Sequence, residues 1–232
     1  MITILATDSA VEIDYVNVDT DLEFGSFVSP TGTDFVLIVA TLTSDEGGEI
    51  TSVEYGGLSF FEAASSLTNG GCSTVMYYAL NPSGASITDS PVVHYKTGTL
   101  TRKGAIYALS GVDQDTPINT TVQDNFDVAE GKALEITPSV DNCLLVDVVV
   151  SKEDTGYGLA NNETAVLFDE SVNDQGGPSI GGSQYYQQTT AAAKTLSWTW
   201  SGESYFNYTI IAIQPVPAGV PYSGSFFPLV NY

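Results

Sequence analysis

CLLVDVVVS, residues 143–151, is apolar except at Asp147 and Ser151. The run is shorter than a buried helix needs and is dominated by β-branched valine, so it reads as a strand apolar on both faces. Such a strand belongs inside a sheet that is covered on both sides. Asp147 must then meet a rim or a buried polar partner, because an unpaired carboxylate in a core is costly. FVLIVATLT (35–43) repeats the pattern without an acid.

Outward from these two runs, period-two patterning takes over. In KTLSWTW (194–200), Leu196, Trp198 and Trp200 share one face. In NYTIIAI (207–213), Tyr208, Ile210 and Ala212 face one way and Thr209, Ile211 and Ile213 the other, which predicts an internal strand. Further runs bring the candidate strands to about fourteen, from VEIDYVNV (11–18) to YFNYTIIAIQ (205–214). Turn residues such as TNGG, NPSG and NDQGGPSIGG fill the gaps. The expected fold is all-β: a two-sheet antiparallel β-sandwich of jelly-roll type, one domain over residues 1–214. Residues 1–30 read as an edge hairpin or an N-terminal extension. Residues 215–232, PVPAGVPYSGSFFPLVNY, hold four prolines and cannot enter a ladder easily. They read as an extended arm or strap, with Phe226, Phe227, Leu229 and Tyr232 as anchors at a protein interface.

Charge narrows the function. The chain has 28 acids and 6 bases among 232 residues, a net charge of −22. Every Lys and Arg lies at Lys96 or later. Such a surface repels nucleic acid and anionic lipid, since phosphate binding needs Lys and Arg. No run is long enough for a membrane helix, so membrane insertion is not expected. MITILATDSAVEIDY shows no basic segment ahead of an apolar one, so no secretory leader is read there. Cys72 and Cys143 fit either a disulfide or two buried thiols.

Chemistry-bearing residues are sparse. His94 is the only histidine, which excludes histidine-rich zinc or iron sites by count. No G-x-S-x-G elbow occurs. Asp147 and Glu135 are strand carboxylates that a glycosidase would need to face each other across a sugar. Loops with Asp45, Glu46 and Glu49, or with Glu170, Asn173 and Asp174, offer hard oxygen ligands for a structural calcium ion; no other cofactor is expected. Tyr185 and Tyr186 in GGSQYYQQTT (181–190) are the candidate glycan platform. ALSGVDQDTPI (108–118) carries Asp113 and Asp115, but the stretch reads as a strand-exit corner: Gly111 lets the chain turn, and Asp115 ahead of Thr116-Pro117 is the acid expected to cap backbone N–H groups. The chain is not expected to be an enzyme.

The order of several segments resembles a β-sandwich module of phage structural proteins and bacterial secreted or surface proteins. DFVLIVATLTSDEGGEITSVEYGGLSFFEAAS (34–65), VMYYALNPSGAS (75–86), SGVDQDTPINT (110–120), DNCLLVDVVVS (141–151) and WTWSGE (198–203) carry that resemblance. It spans roughly 34–215. It implies that Gly56 and Gly57 form a tight turn, that Asp113 and Pro117 form a corner, and that no catalytic residue carries over. It also implies display on a virion or outside a cell. The expected role is a structural virion protein, such as a capsid decoration, spike or tail-fibre component, bound to copies of itself or to other virion proteins. The alternative is a secreted or surface module that binds a cell-surface glycan.

Overall fold

The computed structural model describes residues 1–13, 21–44, 50–67, 72–95, 99–152, 160–166, 172–174 and 177–218. In its N-terminal half the strands are β1 (Thr3–Ile13), β2 (Leu22–Glu23), β3 (Phe27–Ser29), β4 (Phe35–Ser44), β5 (Ile50–Glu54), β6 (Phe60–Leu67), β7 (Cys72–Leu80), β8 (Ile87–Asp89), β9 (Val92–Tyr95) and β10 (Thr99–Ser110). The C-terminal half supplies β11 (Ile118–Ile136), β12 (Cys143–Lys152), β13 (Ala160–Asn161), β14 (Thr164–Val166), β15 (Val172–Asp174), β16 (Gly177–Gln188) and β17 (Lys194–Ile213). All the pairings are antiparallel. Among the described residues there is no helix, and so none long and apolar enough to cross a membrane.

Four sheets result. A five-stranded sheet has the order β1-β10-β4-β7-β6, and a seven-stranded one is built on β11-β17-β12-β16-β14. Two small sheets, β2-β9-β5 and β3-β8, complete the set. Among the described strands the chain crosses between the two large sheets once, from β10 to β11. A jelly roll passes strands from sheet to sheet repeatedly, so the routing differs from that expectation.

Alternation along β4 shows why its sequence is continuously apolar. Phe35, Leu37 and Val39 point into a core shared with Leu144, Val146, Val148, Ile211 and Ile213 of the seven-stranded sheet. Val36, Ile38, Ala40 and Leu42 point the other way, onto Leu22, Val53 and Val93 of the small three-stranded sheet. The five-stranded sheet is therefore covered on both faces. Polar bonds join the large sheets beside their apolar core: the Thr74 and Thr209 hydroxyls lie 2.7 Å apart, and Ser66 donates to Asn207 Oδ1 at 3.2 Å.

A third core lies on the far face of the seven-stranded sheet. There Leu134, Ile136, Leu196, Trp198 and Trp200 pack on Leu145, Val149, Tyr208, Ile210 and Ala212. β11 and β17 form one long ribbon, and its far end doubles back. Trp198 and Tyr208 bond the same Asp147 carboxyl, yet ten residues of straight strand would span about 33 Å. The ladder shifts register between Phe126 and Gly131 at this bend.

Cys72 and Cys143 are separate buried thiols, which closes the disulfide alternative. Burial of the Cys143 thiol pushes its pKa up to about 11, with the Asp141 charge adding to the rise.

Candidate functional site

The 108–118 stretch is a clasp that holds Met1 on one side and Gln214–Val216 on the other. Gly111 has φ +82°, and a Cβ there would lie 2.9 Å from the Met1 carbonyl oxygen, so the residue that turns the chain must be glycine. Asp113 Oδ1 accepts the backbone N–H groups of Asp115 and Thr116 at 2.9 and 3.1 Å, and Oδ2 accepts Gln214 Nε2 at 3.2 Å. Burial alone would raise the pKa of this carboxyl. The donors of Asp115, Thr116 and Gln214 outweigh burial and hold it below the ordinary carboxylate value. Asp115 contributes its backbone N–H while its side chain stands exposed, so the capping acid is Asp113. Pro117 is buried, and its carbonyl accepts Gln214 N–H.

Asp34 completes the clasp and was missed in the sequence. Its carboxylate accepts Gly111 N–H at 2.6 Å and Val112 N–H at 3.4 Å. The available signal was an acid placed directly ahead of the apolar run FVLIVATLT. Removing the Asp113 acceptors by Asp113→Ala is expected to cost about 1–3 kcal/mol in urea denaturation and to leave the oligomeric state unchanged. Altered assembly at unchanged stability would instead assign Asp113 to a binding surface.

Gly56 and Gly57 both take positive φ in the turn after β5, as the tight-turn reading requires. Tyr185 and Tyr186 do not form a shared platform. As consecutive strand residues they face opposite ways. Tyr185 sits edge-on to Tyr107 against the core between the large sheets. Tyr186 packs on the third core, with the Lys194 ammonium 3.8 Å from its ring centroid. Lys194 also pairs with Glu163 at 2.5 Å.

Asp147 and Glu135 are likewise kept apart. Glu135 is exposed, between the inward-facing Leu134 and Ile136, whereas Asp147 is fully buried. Asp147 Oδ1 accepts Gln184 N–H at 3.0 Å, and Oδ2 accepts Gln184 Nε2 at 2.7 Å and the Tyr208 hydroxyl at 2.6 Å. Trp198 Nε1 lies 3.2 and 3.1 Å from the two oxygens. Burial pushes the pKa of this carboxyl up to about 7 against the opposing pull of the Tyr208, Gln184 and Trp198 donors.

His94 stands between two acids: Nδ1 is 2.7 Å from Asp21 and Nε2 is 3.5 Å from Glu54. The carboxylates sit on opposite ring nitrogens, so the trio ties β9 to its neighbours and cannot close on one ion. Among the described residues no group of three or more His, Cys, Asp or Glu could hold a metal. Asp45, Glu46, Glu49 and Glu170 of the expected calcium loops lie outside the described residues, as do the anchors Phe226, Phe227, Leu229 and Tyr232. Asn173 and Asp174 fall in β15, whose pairing with β16 is all that is described there. Among the described residues the large apolar side chains left exposed are Met1, Val28 and Phe61; Phe61, 53% accessible, lies on edge strand β6 with its ring 5.7 Å from that of Tyr78.

No family model and no curated protein matches the chain. Among solved structures it has distant likenesses. One is an alpha-L-fucosidase from Vibrio sp. strain EJY3, at 11% identity and TM-score 0.21, covering 83% of this chain. The chain spans 38% of that protein's length. Another is the major capsid protein P2 of bacteriophage PM2, at 10% identity and TM-score 0.26, covering 92% of this chain and 99% of the other. A third is A223, a turret protein of Sulfolobus turreted icosahedral virus, at 12% identity and TM-score 0.17, covering 94% and 100%.

Proposed function

We propose that the chain is a non-enzymatic structural protein of a virion, a capsid decoration, spike or tail-fibre component. It works by packing against copies of itself or against other virion proteins, with the sandwich of the two large sheets as its body. One observation carries this reading: the three buried acids serve the fold, while an aromatic side chain is left exposed on a sheet edge. Asp34, Asp113 and Asp147 turn their carboxylates onto the chain's own N–H and O–H groups. Their bonds hold the corner and the folded ribbon. The aromatic Phe61 stays half exposed on the edge strand β6, the kind of side chain that a protein contact buries. The segment order that resembles phage structural modules points the same way. Immunogold electron microscopy of intact particles tests the proposal. Label at regular positions on the particle surface is the expected result; a chain that stays with the soluble monomer fraction and never labels a particle overturns it.

A further inference from the structure

We propose that the folded arm of the β11–β17 ribbon is a pH-operated cover, shut over the seven-stranded sheet while Asp147 carries a proton and loosened when that proton leaves. The arm consists of residues 131–136 and 194–199, paired with each other. Its Leu134, Ile136, Leu196 and Trp198 lie over Leu145, Val149, Tyr208 and Ile210. It leaves the body of the ribbon where the ladder shifts register between Phe126 and Gly131. The core it closes shares no residue with the cores on the two faces of the five-stranded sheet, so the arm has a hinge and a layer of its own.

Asp147 is the hub that ties this layer down. Its side chain is fully buried. Trp198 of the arm bonds the carboxyl directly, 3.2 and 3.1 Å from the two oxygens. The Gln184 amide, held by Oδ2 at 2.7 Å, also donates to the Ser197 carbonyl of the arm at 3.3 Å. Both bonds therefore pass through the carboxyl or through the amide that it orients. From the sheet beneath, Gln184 N–H and the Tyr208 hydroxyl hold the same two oxygens.

No cation stands among these partners. β16 supplies Gln184 and Ser183, whose hydroxyl donates to the Asp147 carbonyl, and β17 supplies Trp198 and Tyr208. β10 reaches the cluster through Tyr107, bonded to Ser183 at 2.5 Å. β11 adds Leu134 and Ile136 to the same core, and β12 itself adds Cys143, Leu145 and Val149. Lys132 and Lys194, the bases of the ribbon, are paired with Asp124 and Glu163. Burial pushes the Tyr107 and Tyr208 hydroxyls well above the ordinary tyrosine value and the Cys143 thiol up to about 11. Asp147, raised by burial to about 7, is the group of this cluster that titrates near neutrality.

Once ionised, the carboxylate has dipoles around it and no counter-charge, and water is the relief. Lifting the arm admits that water and returns the carboxyl toward its ordinary value of 3.8. Opening is thus linked to the loss of one proton between about pH 4 and 7, and each pH unit in that window favours it about tenfold. Above that window the closed and open forms are both ionised, and the gain levels off.

Amide hydrogen exchange of the unaltered chain, followed by NMR from pH 5 to 8 and corrected for the intrinsic pH dependence of exchange, is the test. Residues 132–136 and 194–199 are expected to lose protection by about 50-fold across that range, mostly below pH 7, and to stay less protected than residues 35–43 of β4 at every pH. In Asp147→Asn the arm is expected to show weaker protection that no longer changes with pH. Flat protection of the arm in the unaltered chain overturns the proposal. Equal protection of the arm and β4 at every pH overturns it too, since Asp147 would then act on unfolding of the whole chain and operate no cover. A pH dependence that survives in Asp147→Asn assigns the proton to another group and has the same consequence.

Discussion

Asp147→Asn is expected to lower stability by about 3 kcal/mol at pH 5, the cost of breaking a buried charge-capable network. The substitution preserves shape, so the effect is one of hydrogen bonding. Every neighbour of the carboxyl is a donor: Gln184 N–H, Gln184 Nε2, Trp198 Nε1 and the Tyr208 hydroxyl. An amide nitrogen in place of Oδ1 faces the Gln184 backbone N–H, which cannot rotate. In place of Oδ2 it faces Gln184 Nε2. Either orientation leaves a donor opposed to a donor. The acid itself escapes this conflict when protonated, because the Tyr208 hydroxyl can reverse its role and accept the carboxyl proton.

The same carboxyl sets a pH dependence of definite sign. Its pKa is raised from the ordinary 3.8 to about 7 in the folded chain. Between those values the native state keeps a proton that the unfolded state has released. Stability from this group is thus fully present below about pH 4 and lost as pH rises through 7, a change of about 4 kcal/mol. Asp113 has the opposite sign. Its pKa is lowered, so its contribution is present above the ordinary carboxylate range and lost only as pH falls below it. Urea denaturation of Asp147→Asn and the unaltered chain from pH 4.5 to 8 separates the two. The gap between the curves should be widest at acid pH and should narrow toward pH 8. Parallel curves would mean that the buried carboxyl ionises as an exposed one does.

Asp147 also marks the limit of what the sequence discloses. Its position inside CLLVDVVV required a buried partner or a rim, and the alternation of β17 was legible residue by residue: Tyr208, Ile210 and Ala212 in one core, Ile211 and Ile213 in another. Period-two patterning states which residues share a face. It is silent on which sheet covers that face, so the small three-stranded layer and the folded ribbon were not foreseen. Edge strands were missed for a related reason. β1 and the first part of β11, INTTVQDNF, have solvent on one side and carry too few apolar residues to stand out. In the corner, the sequence offered two acids two residues apart. The sequence points to Asp115 as the cap and the structure uses Asp113, because which acid caps depends on backbone turns that the residue types allow equally.

Gly131→Val is expected to open the folded ribbon at a cost of about 3 kcal/mol or more, strain and overpacking together. Gly131 has φ +141°, a region that L side chains rarely adopt. A Cβ there would lie 2.8 Å from the Trp198 carbonyl oxygen and 3.0 Å from Thr199 Cα, both backbone atoms that no rotamer change can move. The bend that brings Leu134, Ile136, Trp198 and Trp200 over the seven-stranded sheet therefore depends on the absence of a side chain at this position. The optical readout is specific to that layer, because Trp198 and Trp200 are the only tryptophans and both are buried in it. Opening it exposes both indoles and takes the Trp198 donor from Asp147. Tryptophan emission should shift to the red in Gly131→Val while far-ultraviolet circular dichroism keeps its β signature, since the cores on the two faces of the five-stranded sheet share no residue with this layer. Loss of both signals together would make the ribbon part of one cooperative unit with the large sheets, and unchanged emission would show that the bend tolerates a side chain.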